Sequence, residues 1–182
     1  QSAIVLVTAL GLLAFLCAPA GASLLSQWTF DDSTINDSSG NAYNGALVGG
    51  TYSADTFSGT GKSLDLTGGD NYAYIPGTGG GAFNLSVLTV STWVKGWPAN
   101  AWAAFVAKNG EGSWGYQLRK YSTSNDVGLT TRGPSNADQS AGYGLASDGR
   151  WHQIAGTYDG SYKRIYIDGM LINQVACTGA IN

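Results

Sequence analysis

Trp97, Trp102 and Trp114, with Tyr116 and Tyr121, are the side chains of this chain best suited to holding a ligand. They fall in or just after Trp97-Pro98-Ala99-Asn100-Ala101-Trp102 and Glu111-Gly112-Ser113-Trp114-Gly115-Tyr116, segments that read as loops or strand ends. There, flat rings can meet the C–H faces of pyranoses while Asn100 and Glu111 accept hydroxyl hydrogen bonds. The competing role for an aromatic ring is to fill a core, and that role is expected for Trp28, Trp93 and Trp151. Exposure of Trp97, Trp102 or Trp114 decides between the two.

Catalysis is not expected. Hydrolysis of a glycosidic bond needs two placed carboxylates, one as acid and one as nucleophile or base. The only glutamate, Glu111, has no carboxylate two or three residues away, and Asp148-Gly149, Asp159-Gly160 and Asp168-Gly169 read as turns. His152, the only histidine, follows Trp151 on a predicted strand with no Cys or His in sequence reach. A ring hydrogen-bonded at the sheet surface or edge is expected there, not a base or a metal ligand. Asp31, Asp32 and Asp37, with Asn36 and Asn41, gather hard oxygens that suit Ca²⁺, although their spacing is not that of an EF-hand. Asx-turn chemistry in Asp37-Ser38-Ser39-Gly40 explains that stretch without an ion. Gly77 to Gly81 lacks the strand-to-helix setting and the Lys-Ser/Thr ending of a phosphate loop, which excludes a nucleotide site.

The elements that must position these residues are short strands. β-prone runs separated by Gly, Asn, Asp and Ser predict strands over Gln27–Phe30, Ala46–Val48, Ser63–Leu66, Tyr72–Ile75, Leu88–Lys95, Ala103–Lys108, Tyr116–Arg119, Val127–Thr131, Trp151–Tyr158, Lys163–Ile167 and Leu171–Val175. In Leu88–Lys95, alternation sends Leu88, Val90 and Val94 to one face and Thr89, Ser91, Trp93 and Lys95 to the other. The last two Asp-Gly pairs predict hairpins with two-residue turns. Many short strands in a chain with 27 glycines and only 12% charged residues mean an antiparallel sandwich or jelly roll. A net charge of −3 without a basic cluster excludes nucleic acid as a partner.

Residues 3–20 are an uncharged apolar run ending in Ala20-Gly21-Ala22, an A-x-A cleavage site, so residues 1–22 read as a secretory signal peptide. Gly11 and Pro19 interrupt the run, which barely reaches the length of a membrane span. The start at Gln1, with neither Met nor a basic segment, reads as an N-terminal truncation. Residues 23–182 then read as one domain, secreted or on the cell surface, with no membrane contact once the leader is gone. Cys17 leaves with the leader. Cys177 is expected to be either buried or paired with a cysteine outside this sequence.

Trp28-Thr29-Phe30-Asp31-Asp32, Asp37-Ser38-Ser39-Gly40-Asn41 with Gly45, Gly61-Lys62-Ser63-Leu64-Asp65-Leu66, Leu88–Lys95, Trp151 to Gly160 and Tyr166-Ile167-Asp168-Gly169 together resemble the laminin G-like domains of the concanavalin A-like lectin/glucanase superfamily. The resemblance implies a jelly-roll sandwich of two antiparallel sheets. It also implies a closing C-terminal strand beside the N-terminal one, which the chain is expected to lack. A structural calcium bridging first and last strands would draw on Asp31 or Asp32. The glucanase motif Glu-x-Asp-x-x-Glu has no counterpart, so a non-enzymatic, exported, lectin-like module is expected, with a glycan or cell-surface polysaccharide as partner. The alternatives are an adhesive spacer that contacts proteins and binds no sugar, and an accessory domain of a secreted glycoside hydrolase.

Overall fold

The structure is a computed structural model. It describes residues 23–76, 81–110, 113–124, 126–133, 138–144 and 148–181, with side chains at all of these except 109, 110, 113, 114 and 138–144. The expected leader, the Gly77–Gly81 connection apart from Gly81 itself, Glu111 and the Trp114 side chain lie outside the described residues.

The described residues form strands and no helix. Two short ribbons come first: β1 (Ala46–Val48), β2 (Thr51–Ser53), β3 (Ser63–Asp65) and β4 (Tyr72–Tyr74), pairing β1 with β4 and β2 with β3. The body follows: β5 (Leu88–Lys95), β6 (Ala104–Gly110), β7 (Ser113–Tyr121), β8 (Asp126–Thr131), β9 (Asp138–Gly144), β10 (Trp151–Tyr158), β11 (Tyr162–Ile167) and β12 (Met170–Ala176). These eight make two four-stranded sheets in the orders β12-β11-β10-β5 and β6-β7-β8-β9. Every pairing is antiparallel, as expected for a jelly-roll sandwich.

Alternation explains the core. Leu118, Val127 and Leu129 from one sheet meet Ile154, Tyr158, Ile165 and Ile167 from the other, all nearly or fully buried. Each such side chain contributes about 1.5–3 kcal/mol by leaving water. Gly156 makes the sheets fit: a Cβ there would lie 3.2 Å from three carbons of Leu129. Cys177 is 1% exposed within this core, so its thiol is buried.

The Asp168-Gly169 turn has two residues with positive φ, 50° and 78°, as the Asp-Gly pair predicts. The other hairpin differs from expectation. Its connection is Asp159-Gly160-Ser161, only Gly160 has positive φ, and the Asp159 carboxylate accepts from the Ser161 and Tyr162 N–H groups. That Asx turn moves the two central residues one position along, to Gly160-Ser161, closed by the Asp159 N–H donating to the Tyr162 carbonyl at 3.3 Å.

Three further expectations are corrected. Gln27–Phe30 is not a strand: Phe30 has φ 65°, and the segment is tied to the next loop by Gln27 N–H to Asp37 and Trp28 Nε1–H to the Tyr43 carbonyl. β2 and β9 were not expected, because Thr51-Tyr52-Ser53 and Asp138–Gly144 carry no apolar alternation; they pair with β3 and β8. Trp28, Trp93 and Trp151 do not fill the space between the sheets. Trp93 stands on the outer face of β5, stacked on Phe57, and Trp151 is half-buried with its indole N–H on Asp55.

Candidate ligand-binding site

The site grows from β7. Tyr116, Leu118 and Lys120 point toward the sandwich interior, so Gln117, Arg119 and Tyr121 point away from it, joined across the ladder by Thr130 opposite Gln117 and Gly128 opposite Arg119. The chain entering β6 brings Trp102 over this outer face. Its indole lies edge-to-face with Tyr121, centroids 4.8 Å apart, and the Arg119 guanidinium sits 4.5 Å from its centroid. Arg119 is itself buried, with one guanidinium N–H donated to Gln117 at 3.2 Å. Trp102 is 41% exposed. The arrangement is a flat ring, held from beneath by a cation and from the side by a phenol, with its remaining surface in water.

The loop that carries Trp102 is fixed by Lys120. Its ammonium donates to the Pro98 carbonyl at 2.9 Å and the Ala99 carbonyl at 3.5 Å, and its backbone N–H donates to Ala103 at 2.9 Å. These bonds satisfy an otherwise costly buried cation. They also hold Trp102 at φ 63°, a left-handed backbone that costs a bulky residue about 1–3 kcal/mol. Nearby, the Thr130 hydroxyl is buried and has no hydrogen-bond partner among the described residues, an unpaired polar group on the strand floor.

The five expected aromatics therefore separate. Trp102 and Tyr121 are brought together. Tyr116 is 7% exposed and belongs to the core, where burial raises its phenol pKa, so it cannot meet a ligand. Trp97 is half-buried against Phe105, centroids 5.3 Å apart, and plugs the end of the core. Only the backbone of Trp114 is described, paired with Asn109. Arg119, Gln117 and Lys120 were missed. The signal was available: residues 116 and 121 differ in parity and cannot share a face of one strand, whereas 117, 119 and 121 can.

Asp31 and Asp32 close loops. Asp31 accepts the Lys62 N–H at 3.0 Å, in space a Gly61 Cβ would occupy, and Asp32 accepts the N–H and hydroxyl of Thr34. Asp37 is the busier carboxylate. Burial works to raise its pKa, but N–H groups of Gln27, Ser39 and Tyr43 and the Ser39 hydroxyl lower it to about 2. Among the described residues no group of three or more His, Cys, Asp or Glu side chains is placed to hold a metal ion. His152 bridges two turns, its Nδ1 2.8 Å from Asp168 and its Nε2 3.2 Å from Asp148.

Two facing antiparallel sheets with a ring cluster on an outer sheet face define a jelly-roll sandwich. The sequence profile of the Laminin_G_3 family, described as the concanavalin A-like lectin/glucanases superfamily, matches residues 66–182, and the chain belongs to that family. In structure it is similar to domain 4 of AbnA, a GH43 extracellular arabinanase from Geobacillus stearothermophilus, solved in complex with arabinotriose. The TM-score is 0.62 at 20% identity, covering 87% of this chain and 80% of that one. No curated protein matches the sequence.

Proposed function

We propose that the chain is a non-catalytic carbohydrate-binding module of an exported protein, and that glycan stacks on Trp102 beside Tyr121. The observation that carries this reading is the half-open indole pinned by Arg119 and Tyr121. A sugar presents C–H groups on its faces and hydroxyls at its edge. A rigid aromatic plane takes up the first, and the exposed Asn100 amide and the Tyr121 phenol beside the indole can serve the second. Preorganisation by Lys120 keeps the ordering cost of binding low. Asp148, Asp159 and Asp168 are taken up by turn N–H groups and by His152, roles that support the non-catalytic reading.

An accessory place in a secreted glycoside hydrolase is favoured over a protein-binding spacer, because the similar solved domain is part of an extracellular arabinanase and holds arabinotriose. Native electrophoresis through gels containing arabinan, xylan, β-glucan or galactan tests the reading. At least one polysaccharide should retard the wild type, and Trp102→Ala should lose most of that retardation. Equal mobility of both proteins in every gel would count against it.

A further inference from the structure

On the opposite side of the molecule, the outer face of β5 and β10 carries a second aromatic plane. Phe57, from the connection between β2 and β3, lies parallel to Trp93 with centroids 4.1 Å apart and ring planes within 2°. Phe57 is 54% exposed and Trp93 39%, so the contact that joins the two rings leaves a broad ring surface in water. The frame around them is polar and fixed. Gln153 is directly opposite Trp93, and Lys95 directly opposite Trp151. Asp55 accepts from both the Lys95 ammonium, at 2.5 Å, and the Trp151 indole, at 2.9 Å, which clamps the Phe57 loop to the sheet. Among the described residues no hydrogen bond takes up the Gln153 carboxamide.

We infer that this stack is a second glycan-binding site, with a sugar ring laid on the outward face of Phe57, which Trp93 backs from beneath, and its hydroxyls met by Gln153 and the Lys95–Asp55 pair. Size selects the occupant. Two partly exposed rings offer on the order of 200 Å² of apolar surface, far below the ~800 Å² per partner of a stable protein interface. A monosaccharide face matches both that area and the amide and charged groups at its border. Because Trp102 stands on the outer face of one sheet and Trp93 on the outer face of the other, the two planes point in opposite directions. One chain then bridges two glycan strands and gains avidity that neither site has alone. The inference extends the proposed function to a second surface but does not need the Trp102 site to bind.

The same four gels, run with wild type, Trp102→Ala, Phe57→Ala, Gln153→Ala and the Trp102→Ala/Phe57→Ala pair, test it, with thermal melts to confirm folding. Phe57→Ala and Gln153→Ala should each weaken retardation at least threefold at unchanged melting temperature. Trp102→Ala should keep a residual retardation that the double variant loses. The wild type should also precipitate the soluble polysaccharide it recognises, and either single ring variant should not. Retardation abolished by Trp102→Ala alone, or unchanged by both Phe57→Ala and Gln153→Ala, overturns the second site while sparing the first. Retardation lost in Phe57→Ala but untouched in Trp102→Ala supports the second site and overturns the first. Self-association through the Phe57 plane, seen as a wild-type dimer that Phe57→Ala dissolves, overturns the glycan assignment.

Discussion

The guanidinium of Arg119 lies 4.5 Å from the centre of the Trp102 ring, a cation beneath a partly exposed indole on the outer β7 face. Such a contact stabilises the ring by about 0.5–1 kcal/mol or more when shielded from water. Replacing Arg119 by Gln keeps a planar donor and removes the charge. The expected outcome is a protein that melts as a folded unit, with altered Trp102 fluorescence and glycan affinity reduced about three- to tenfold. Unchanged affinity would detach Arg119 from the site.

Lys120 acts on the same ring from a distance, through the carbonyls of Pro98 and Ala99. Lys120→Met keeps the buried stem and deletes the donor. The Trp97–Trp102 loop should loosen, seen as faster backbone amide exchange at Ala103, and affinity should fall while the polysaccharide preference stays the same. A change of preference would mean that Lys120 touches sugar.

Gly156 is where the two sheets come closest to needing no side chain. Gly156→Ala places its Cβ 3.2 Å from three carbons of the buried Leu129 side chain, which the close-packed core holds in place, and overpacking of this kind costs about 1–3 kcal/mol. The melting temperature should drop about 2–4 °C for each kcal/mol. Adding Leu129→Ala to Gly156→Ala should relieve part of that cost, a coupling that distant sites would not show.

His152 sets the pH dependence of stability. The hydrogen bond to Asp168 chiefly raises its pKa, with Asp148 adding to it, against a lowering by burial. A raised folded-state pKa means the stabilisation is complete below about pH 6.5 and is lost as pH rises through the folded value. The carboxylates act in reverse. Asp148 is lowered chiefly by the Arg150 N–H. Burial works to raise Asp168, but the His152 and Gln153 donors outweigh it and lower the carboxyl. Both contributions are therefore present above the ordinary carboxylate range and fade in acid. Arg150, paired with Asp148, is the other charge in the cluster. Melting temperature should therefore peak between about pH 4 and 6.5, and His152→Gln should flatten the alkaline side and, by weakening the hold on Asp168 and Asp148, reduce part of the acid-side loss. A His152→Gln profile parallel to wild type would refute this role.

Much of the fold was legible because alternation and β-branched runs survive where one strand face is buried. Leu88–Lys95, Trp151–Tyr158 and the Asp168-Gly169 turn follow directly from their residues. Thr51-Tyr52-Ser53 and Asp138–Gly144 do not, because a polar or Gly-rich strand is specified by its neighbour's ladder and not by its own side chains. The site was half legible. Composition selects tryptophan as the ring to display, but which ring is displayed depends on loop paths: the Asp55 clamp brings Phe57 over Trp93, and the Lys120 anchor brings Trp102 over Arg119. Trp97, five residues earlier in the same loop, turns inward to Phe105. Those long-range contacts leave no local pattern.

The central claim is that sugar rests on Trp102, and the six indole N–H resonances of the chain test it most directly. Arabinotriose, or an oligosaccharide of whichever polysaccharide retards the protein, is titrated while these six signals are followed by NMR, with Trp102 assigned from a Trp102→Phe sample. The Trp102 signal should shift progressively to saturation, while Trp97, packed against Phe105, stays in place. Saturable binding that leaves the Trp102 signal unmoved would contradict the claim.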